Sequence, residues 1–145
     1  MALAYGADAV YLAGDAYGMR AFAGNFDREG LAHAVALAHR QGVRVHVTCN
    51  TLARNEEVAA LPVYLEYLDS IGVDAVIAAG VDVLNICQRY APHVQVHMST
   101  QTGITNYEMV RMWHELGASR AILARELSLD EVAEICARAP RGMEV

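Results

Sequence analysis

One unit recurs along this chain: an amphipathic segment runs into a glycine, and a β-branched or alanine-rich run follows at once. The junctions read Ala4-Tyr5-Gly6-Ala7-Asp8-Ala9-Val10, Arg40-Gln41-Gly42-Val43-Arg44-Val45, Ser70-Ile71-Gly72-Val73-Asp74-Ala75-Val76 and Glu115-Leu116-Gly117-Ala118-Ser119-Arg120-Ala121. A glycine just past a helix takes the left-handed conformation that closes the last turn, so Gly6, Gly42, Gly72 and Gly117 are expected to end helices and launch strands. Apolar residues at helical spacing define the expected buried faces: Leu31, Ala34, Val35 and Ala38; Leu61, Tyr64, Leu65 and Leu68; Met109, Met112, Trp113 and Leu116; Leu129, Val132, Ala133 and Cys136. Thr105-Asn106-Tyr107-Glu108 and Ser128-Leu129-Asp130-Glu131 have capping-box spacing.

Strands are expected near 8–13, 43–49, 75–79, 94–99 and 120–124, with a shorter helix over 81–90. Such alternation implies a parallel sheet. Two architectures fit, an open doubly wound sheet and part of a (β/α)₈ barrel, which typically takes about 250 residues. Residues 1–6 read as the last turn of a helix and Gly142-Met143-Glu144-Val145 as a strand beginning. These ends favour an incomplete parallel β/α TIM-type barrel of about five strands, truncated at both ends, with residues 1–145 as a single domain. An opened barrel exposes strand edges, so the isolated segment is expected to be poorly behaved.

Composition narrows the function classes. The 145 residues are 54% apolar and 19% charged, which excludes a disordered chain or a coiled coil. No apolar run approaches the ~20 residues of a membrane helix, and the first residues lack the pattern of a signal peptide. The net charge of −6 argues against non-specific nucleic-acid binding, which needs Lys and Arg against phosphates. Cys49, Cys87 and Cys136 form no C-x-x-C pair. They fit a reducing, cytoplasmic setting and are expected to be small buried hydrophobes.

A sharper duplication lies within the repeat. Val43-Arg44-Val45-His46-Val47-Thr48-Cys49-Asn50-Thr51 and Val94-Gln95-Val96-His97-Met98-Ser99-Thr100-Gln101-Thr102 share one pattern two β/α units apart. Strand alternation puts the valines on the face that meets helices and Arg44, His46, Thr48 and Asn50 on the other. Barrel layers are filled by alternate strands, so His46 and His97 are expected in one layer, Thr48 and Ser99 in the next, and Asn50 and Gln101 at the C-terminal mouth. A polar interior must be paired or wetted, so this face is either a hydrogen-bonded network or a pocket lining. For the histidines the choices are that network, a metal pair weakened by the lack of further ligands at metal spacing, or contact with a substrate.

Other polar residues follow the strands. Asp15, Tyr17, Arg20 and Asn25 occupy the loop after the first strand, and Arg125 and Glu126 follow the fifth. An arginine at a barrel mouth suits a carboxylate or phosphate clamp, although Arg125 and Glu126 also fit a local ion pair. No nucleophile elbow, H-E-x-x-H, P-loop or G-x-G-x-x-G is present. Glu56-Glu57 and Asp130-Glu131 belong to first helical turns, where they complement the helix dipole.

At this point the residues resemble a known family. The stretches that do so are Ala4-Tyr5-Gly6-Ala7-Asp8-Ala9-Val10-Tyr11, Arg20 with Asn25-Phe26, and Val47-Thr48-Cys49-Asn50-Thr51-Leu52. They continue with His97-Met98-Ser99-Thr100-Gln101 through Asn106-Tyr107, Trp113-His114-Glu115-Leu116-Gly117, and Leu123-Ala124-Arg125-Glu126-Leu127-Ser128-Leu129-Asp130-Glu131. Together they resemble the collagenase-like peptidase family U-32, closest to the branch that hydroxylates tRNA. The resemblance implies a barrel-like N-terminal domain. Its activity is either formation of 5-hydroxyuridine at the tRNA wobble position, with a small carboxylate such as prephenate required, or proteolysis as the family is named. It also implies tRNA as a partner of the parent, together with the remainder of the barrel and no membrane. An iron–sulfur cluster on cysteines downstream of Val145 is implied for the parent, with no cofactor on this segment. The matching polar positions, Arg20, Asn25, Asn50, Ser99, Gln101, Asn106, Arg125 and Glu126, are candidate pocket residues by resemblance. His46, Thr48 and His97 join them from the strand duplication. A true peptidase would need catalytic residues outside this segment, and a non-catalytic binding or scaffold subunit is the third reading.

Overall fold

A computed structural model describes residues 1–19 and 24–145. Its core is a parallel sheet of β1 (Ala9–Leu12), β2 (Arg44–Cys49), β3 (Ala75–Ala78), β4 (Gln95–Met98) and β5 (Arg120–Ala121), in spatial order β1-β2-β3-β4-β5. Between them run α1 (Arg28–His39), α2 (Asn55–Ser70), α3 (Val81–Tyr90) and α4 (Tyr107–Glu115), and α5 (Leu129–Arg138) follows β5. A doubly wound sheet reverses direction at a switch point. This one does not, and crossovers of one hand then lay every helix on the same face. The strands form an arc of a β/α barrel.

The glycine junctions work as capping motifs. Gly6, Gly42, Gly72 and Gly117 all have positive φ, from 71° to 99°. At each, the glycine N–H bonds the carbonyl three residues back and the next N–H reaches five back: Gly42 to His39 and Val43 to Ala38, Gly72 to Asp69 and Val73 to Leu68, Gly117 to His114 and Ala118 to Trp113. Gly6 and Ala7 make the same pair to Leu3 and Ala2, closing a 3₁₀ turn over Ala2–Tyr5. This double bond satisfies the last carbonyls of each helix and points the chain into the next strand.

Register fixes the faces. Val10 pairs Val45 and Leu12 pairs Val47; Val47 pairs Val76; Val76 and Ala78 pair Val96 and Met98; Met98 pairs Ala121. These residues meet Leu31, Val35, Leu61, Tyr64, Leu65, Leu68, Val83 and Leu84 from the helices in one core. Tyr11, His46, Ile77, His97 and Arg120 fall on the opposite, inner face.

Several sequence expectations need correction. In α4 the buried residues are Val110 and Trp113, while Met112 and Leu116 are 43% and 41% exposed. In α5 only Ile135 is buried, Leu129 is 86% exposed and Cys136 is exposed. Ile135 packs on the core, as does Ala139 just past the helix end, so the predicted stripe through Leu129, Val132, Ala133 and Cys136 is not the buried face. The cap of α4 is Asn106, whose side chain accepts from the Met109 N–H at 3.0 Å, so no box forms at Thr105. The predicted Ser128–Glu131 box is present. β5 stops at Ala121 because β4 stops at Met98 and turns into a 3₁₀ turn over Thr100–Thr102. Ile122 still bonds the Met98 carbonyl, but Ala124 bonds Ile104 instead. Beside β5, Glu144 forms an isolated parallel bridge to Arg120, where the sequence reads as a strand beginning.

Candidate functional site

The duplicated strands place their polar residues in layers. His46 is level with Ala75 and Gln95 along the hydrogen-bonded register, and His97 lies two residues further up β4. An eight-stranded barrel of shear 8 climbs about one residue per strand, so two strands away the same layer is two residues higher. His46 and His97 accordingly meet, with ring centroids 4.7 Å apart and planes at 81°. Both are buried, at 7% and 2% exposure.

The pair stays neutral at pH 7. Burial lowers the His97 pKa to about 4, helped by Arg120 and His46 and opposed by Glu144. Burial also lowers that of His46, with Arg120 and Arg44 adding and Asp74 and Glu144 opposing. Arg120 Nε donates to Glu144 Oε2 at 2.7 Å, and its Nη2 bonds the same oxygen. This ion pair lies on the inner face beside the histidines and lowers the Glu144 pKa.

Above the histidine layer, at the C-terminal ends of the strands, opens a cavity of about 800 Å³. Asn25, Thr48, Asn50, Ser99, Gln101 and Arg125 line it, so the structure brings together these sequence-derived candidates. His46 and His97 lie one layer below. Asn106 sits apart as the α4 cap, and Glu126 is exposed and does not line the cavity. Arg20 lies outside the described residues. Sequence reasoning missed the apolar wall formed by Tyr11, Met19, Phe26, Ile77 and Ile122. The signal was there: Tyr11 and Ile77 occupy the same alternating face of β1 and β3 as the histidines do on β2 and β4.

The mouth is held by backbone and side-chain contacts. Tyr17 has φ 60°; its carbonyl accepts from the Thr51 N–H at 3.2 Å and its hydroxyl donates to the Glu57 carbonyl at 3.1 Å. Asn50 Oδ1 accepts from the Met19 N–H at 3.3 Å, and the Asn50 NH₂ donates to no described residue. Gln101 Nε2 contacts Met19 Sδ. Neither Arg125 nor Glu126 forms an ion pair with a described residue, so the local ion pair with a neighbour that the sequence allowed is absent among the described residues. The guanidinium is left at the rim beside amide and hydroxyl groups.

A smaller polar cavity of about 390 Å³ lies below the layer, lined by Arg44, His46, Asp69, Asp74, His93 and Gln95. Its carboxylates are engaged: Asp74 Oδ2 accepts from Val45 N–H at 2.7 Å and pairs His39 at 2.8 Å, and Asp69 pairs His93 at 3.1 Å.

The cysteines of this chain do not fit an iron–sulfur cluster. Cys49 and Cys87 are buried thiols, with burial pushing Cys87 up to about 12 and Cys49 higher still, whereas Cys136 is exposed on α5. Cluster ligation needs grouped thiolates. Among the described residues no group of three or more His, Cys, Asp or Glu is placed to hold a metal ion. No described helix is long and apolar enough to cross a membrane.

Comparison with known proteins fits this geometry. The tRNA hydroxylation protein P1 of Bacillus subtilis (strain 168) is 41% identical over 135 residues, covering 93% of this chain and 32% of that protein. Protein P2 of the same strain is 39% identical over 140 residues, covering 97% and 45%. The chain thus spans about a third of one relative and under half of the other. The solved structure of the U32 peptidase Mk0906 superposes with a TM-score of 0.74 at 18% identity, over 94% of this chain and 59% of that one, and so shares its fold. The pattern of peptidase family U32 matches residues 1–145, and the chain belongs to that family.

Proposed function

We propose that this chain forms the ligand-holding part of a U32 protein that hydroxylates tRNA at the wobble uridine, with a small carboxylate cosubstrate seated in the upper cavity. The observation that carries this reading is Arg125. It is a guanidinium without an ion-pair partner among the described residues, at the rim of a cavity that also presents Asn50, Ser99 and Gln101. Such a cation takes a carboxylate in a two-pronged hydrogen bond, and Asn50 and Gln101 line the same cavity. The relatives named for tRNA hydroxylation support the same assignment. Arg20, which the sequence puts in the loop after the first strand, is a second clamp candidate. The cluster implied by the family resemblance draws on cysteines beyond Val145 in this proposal, because the thiols here are buried or scattered.

The peptidase reading, which the family's name carries, places its catalytic residues outside this segment. No serine or cysteine among the described residues hydrogen-bonds a histidine, the pairing that activates a nucleophile. The test is complementation. The full-length parent, expressed in a bacterium lacking its own tRNA hydroxylation proteins, is expected to restore 5-hydroxyuridine in digested tRNA. Its absence at normal protein levels would overturn the proposal.

A further inference from the structure

The cavity below the histidine layer lies at the opposite end of the strands from the upper one and shares no lining residue with it. Strand register builds its inner wall. His46 and Gln95 are both level with Ala75, so they stand two strand spacings apart, roughly 9–10 Å, with only a methyl group between them. Arg44 is one inward step below His46 on β2.

The groups around this cavity hold hydrogen-bonding capacity that the protein does not use. His46 is 7% exposed and lines the cavity, yet neither ring nitrogen bonds a described residue. Arg44 forms no ion pair with a described residue, and the Gln95 amide has no described partner. Asp74 is engaged through Oδ2 alone, by His39 and the Val45 N–H, and Asp69 through Oδ2 alone, by His93. Both Oδ1 atoms accept from no described residue.

Buried polar groups rarely go unpaired without a reason. A simple cation would leave Arg44 unmatched, and a simple anion would face two carboxylates. A ligand that carries both charges satisfies both. Burial keeps the His46 imidazole neutral against the pull of Asp74 and Glu144. A neutral imidazole has one N–H and one lone pair, so beside Gln95 it suits an uncharged group that donates and accepts. We propose that the lower cavity is a second binding site, which takes a small α-amino acid with an uncharged polar side chain. Arg44 holds the carboxylate, Asp74 Oδ1 holds the ammonium group, and His46 with Gln95 meets the side-chain amide or hydroxyl. The inference does not depend on the proposed function, which concerns the other end of the strands.

The test is calorimetric titration of the full-length parent with three probes. These are L-glutamine, glutaramate, which lacks the ammonium group, and 4-aminobutanamide, which lacks the carboxylate. The wild-type protein is expected to bind L-glutamine at least about tenfold more tightly than either, because each analogue loses one charged hydrogen-bonding partner. Arg44→Gln is expected to remove the advantage over 4-aminobutanamide, and Arg44→Lys to keep part of it. Asp74→Asn, whose side-chain oxygen can still accept from the Val45 N–H, is expected to remove the advantage over glutaramate. Arg125→Ala, at the other end of the strands, is expected to leave L-glutamine binding unchanged. Failure of L-glutamine to bind at millimolar concentration, or equal binding of glutaramate, overturns the site. So does an unchanged affinity in Arg44→Gln, a substitution at an exposed position outside the core. Loss of L-glutamine binding in Arg125→Ala puts the ligand in the upper cavity and overturns the site as well. The proposed function stands or falls separately, on 5-hydroxyuridine in cells.

Discussion

The imidazoles of His46 and His97 meet edge to face, 4.7 Å between centroids, although their strands are separated by β3. This contact follows from the climb of barrel layers across alternate strands, and it sets a neutral, buried layer between a polar cavity below and the candidate site above. Burial and the nearby guanidiniums of Arg120 and Arg44 outweigh Asp74 and Glu144, so both rings resist protonation.

That resistance has a consequence for stability. The unfolded chain takes up a proton on His97 near the ordinary 6.5, while the folded chain holds off until about 4. The unfolded state therefore binds more protons in this window. Stability is full above about pH 6.5 and falls as the pH drops toward 4, by on the order of 2 kcal/mol from this residue. Urea melts of the wild type and His97→Asn at pH 7 and pH 4.5 check it: the variant is expected to lose less stability on acidification. Identical losses would contradict the assignment.

Gly14 is fixed by its neighbour. A Cβ there would run into the Tyr64 hydroxyl, which is itself buried without a hydrogen-bond partner among the described residues. Gly14→Ala is expected to destabilise by about 1–3 kcal/mol, the usual cost of overpacking. Tyr64→Phe alone removes an unpaired polar atom and is expected to be neutral or stabilising. In the double variant it should recover much of the Gly14→Ala loss. Additive effects in denaturant melts would count against this contact.

The helix-ending glycines give a cleaner case. Gly72 has φ +79°, and a Cβ there would meet only His39 Cε1, at an ordinary 3.8 Å. Gly72→Ala should therefore cost about 1 kcal/mol through backbone conformation alone, with no change in ligand binding. A cost near zero in thermal melts would show that the left-handed cap is not needed there.

Much of this architecture was legible because the repeat is written in residues whose physics is local. Positive-φ glycines end the helices, and valines alternate with polar residues on β2. The histidine layer was legible because the duplicated strands obey the same alternation. The stripes of α4 and α5 were not, because these helices hold more apolar residues than one face can bury. Met112, Leu116 and Leu129 are ordinary exposed hydrophobes, and only packing decides that Val110 and Ile135 point inward. The α4 cap was ambiguous for a similar reason, since Thr105 and Asn106 are both capable acceptors. The apolar wall of the cavity was overlooked because Tyr11 and Ile77 look like core residues until strand register assigns them to the inner face.

In the proposed function, Arg125 at the cavity rim is the cation that holds the carboxylate. Its most direct test is mass spectrometry of nucleosides from tRNA of cells that depend on the full-length parent, comparing wild type with Arg125→Ala at matched protein levels. Removing one charged hydrogen-bonding partner typically costs about 1.5–3 kcal/mol, so at limiting cosubstrate 5-hydroxyuridine is expected to fall by roughly tenfold or more. An unchanged level of 5-hydroxyuridine would contradict the account.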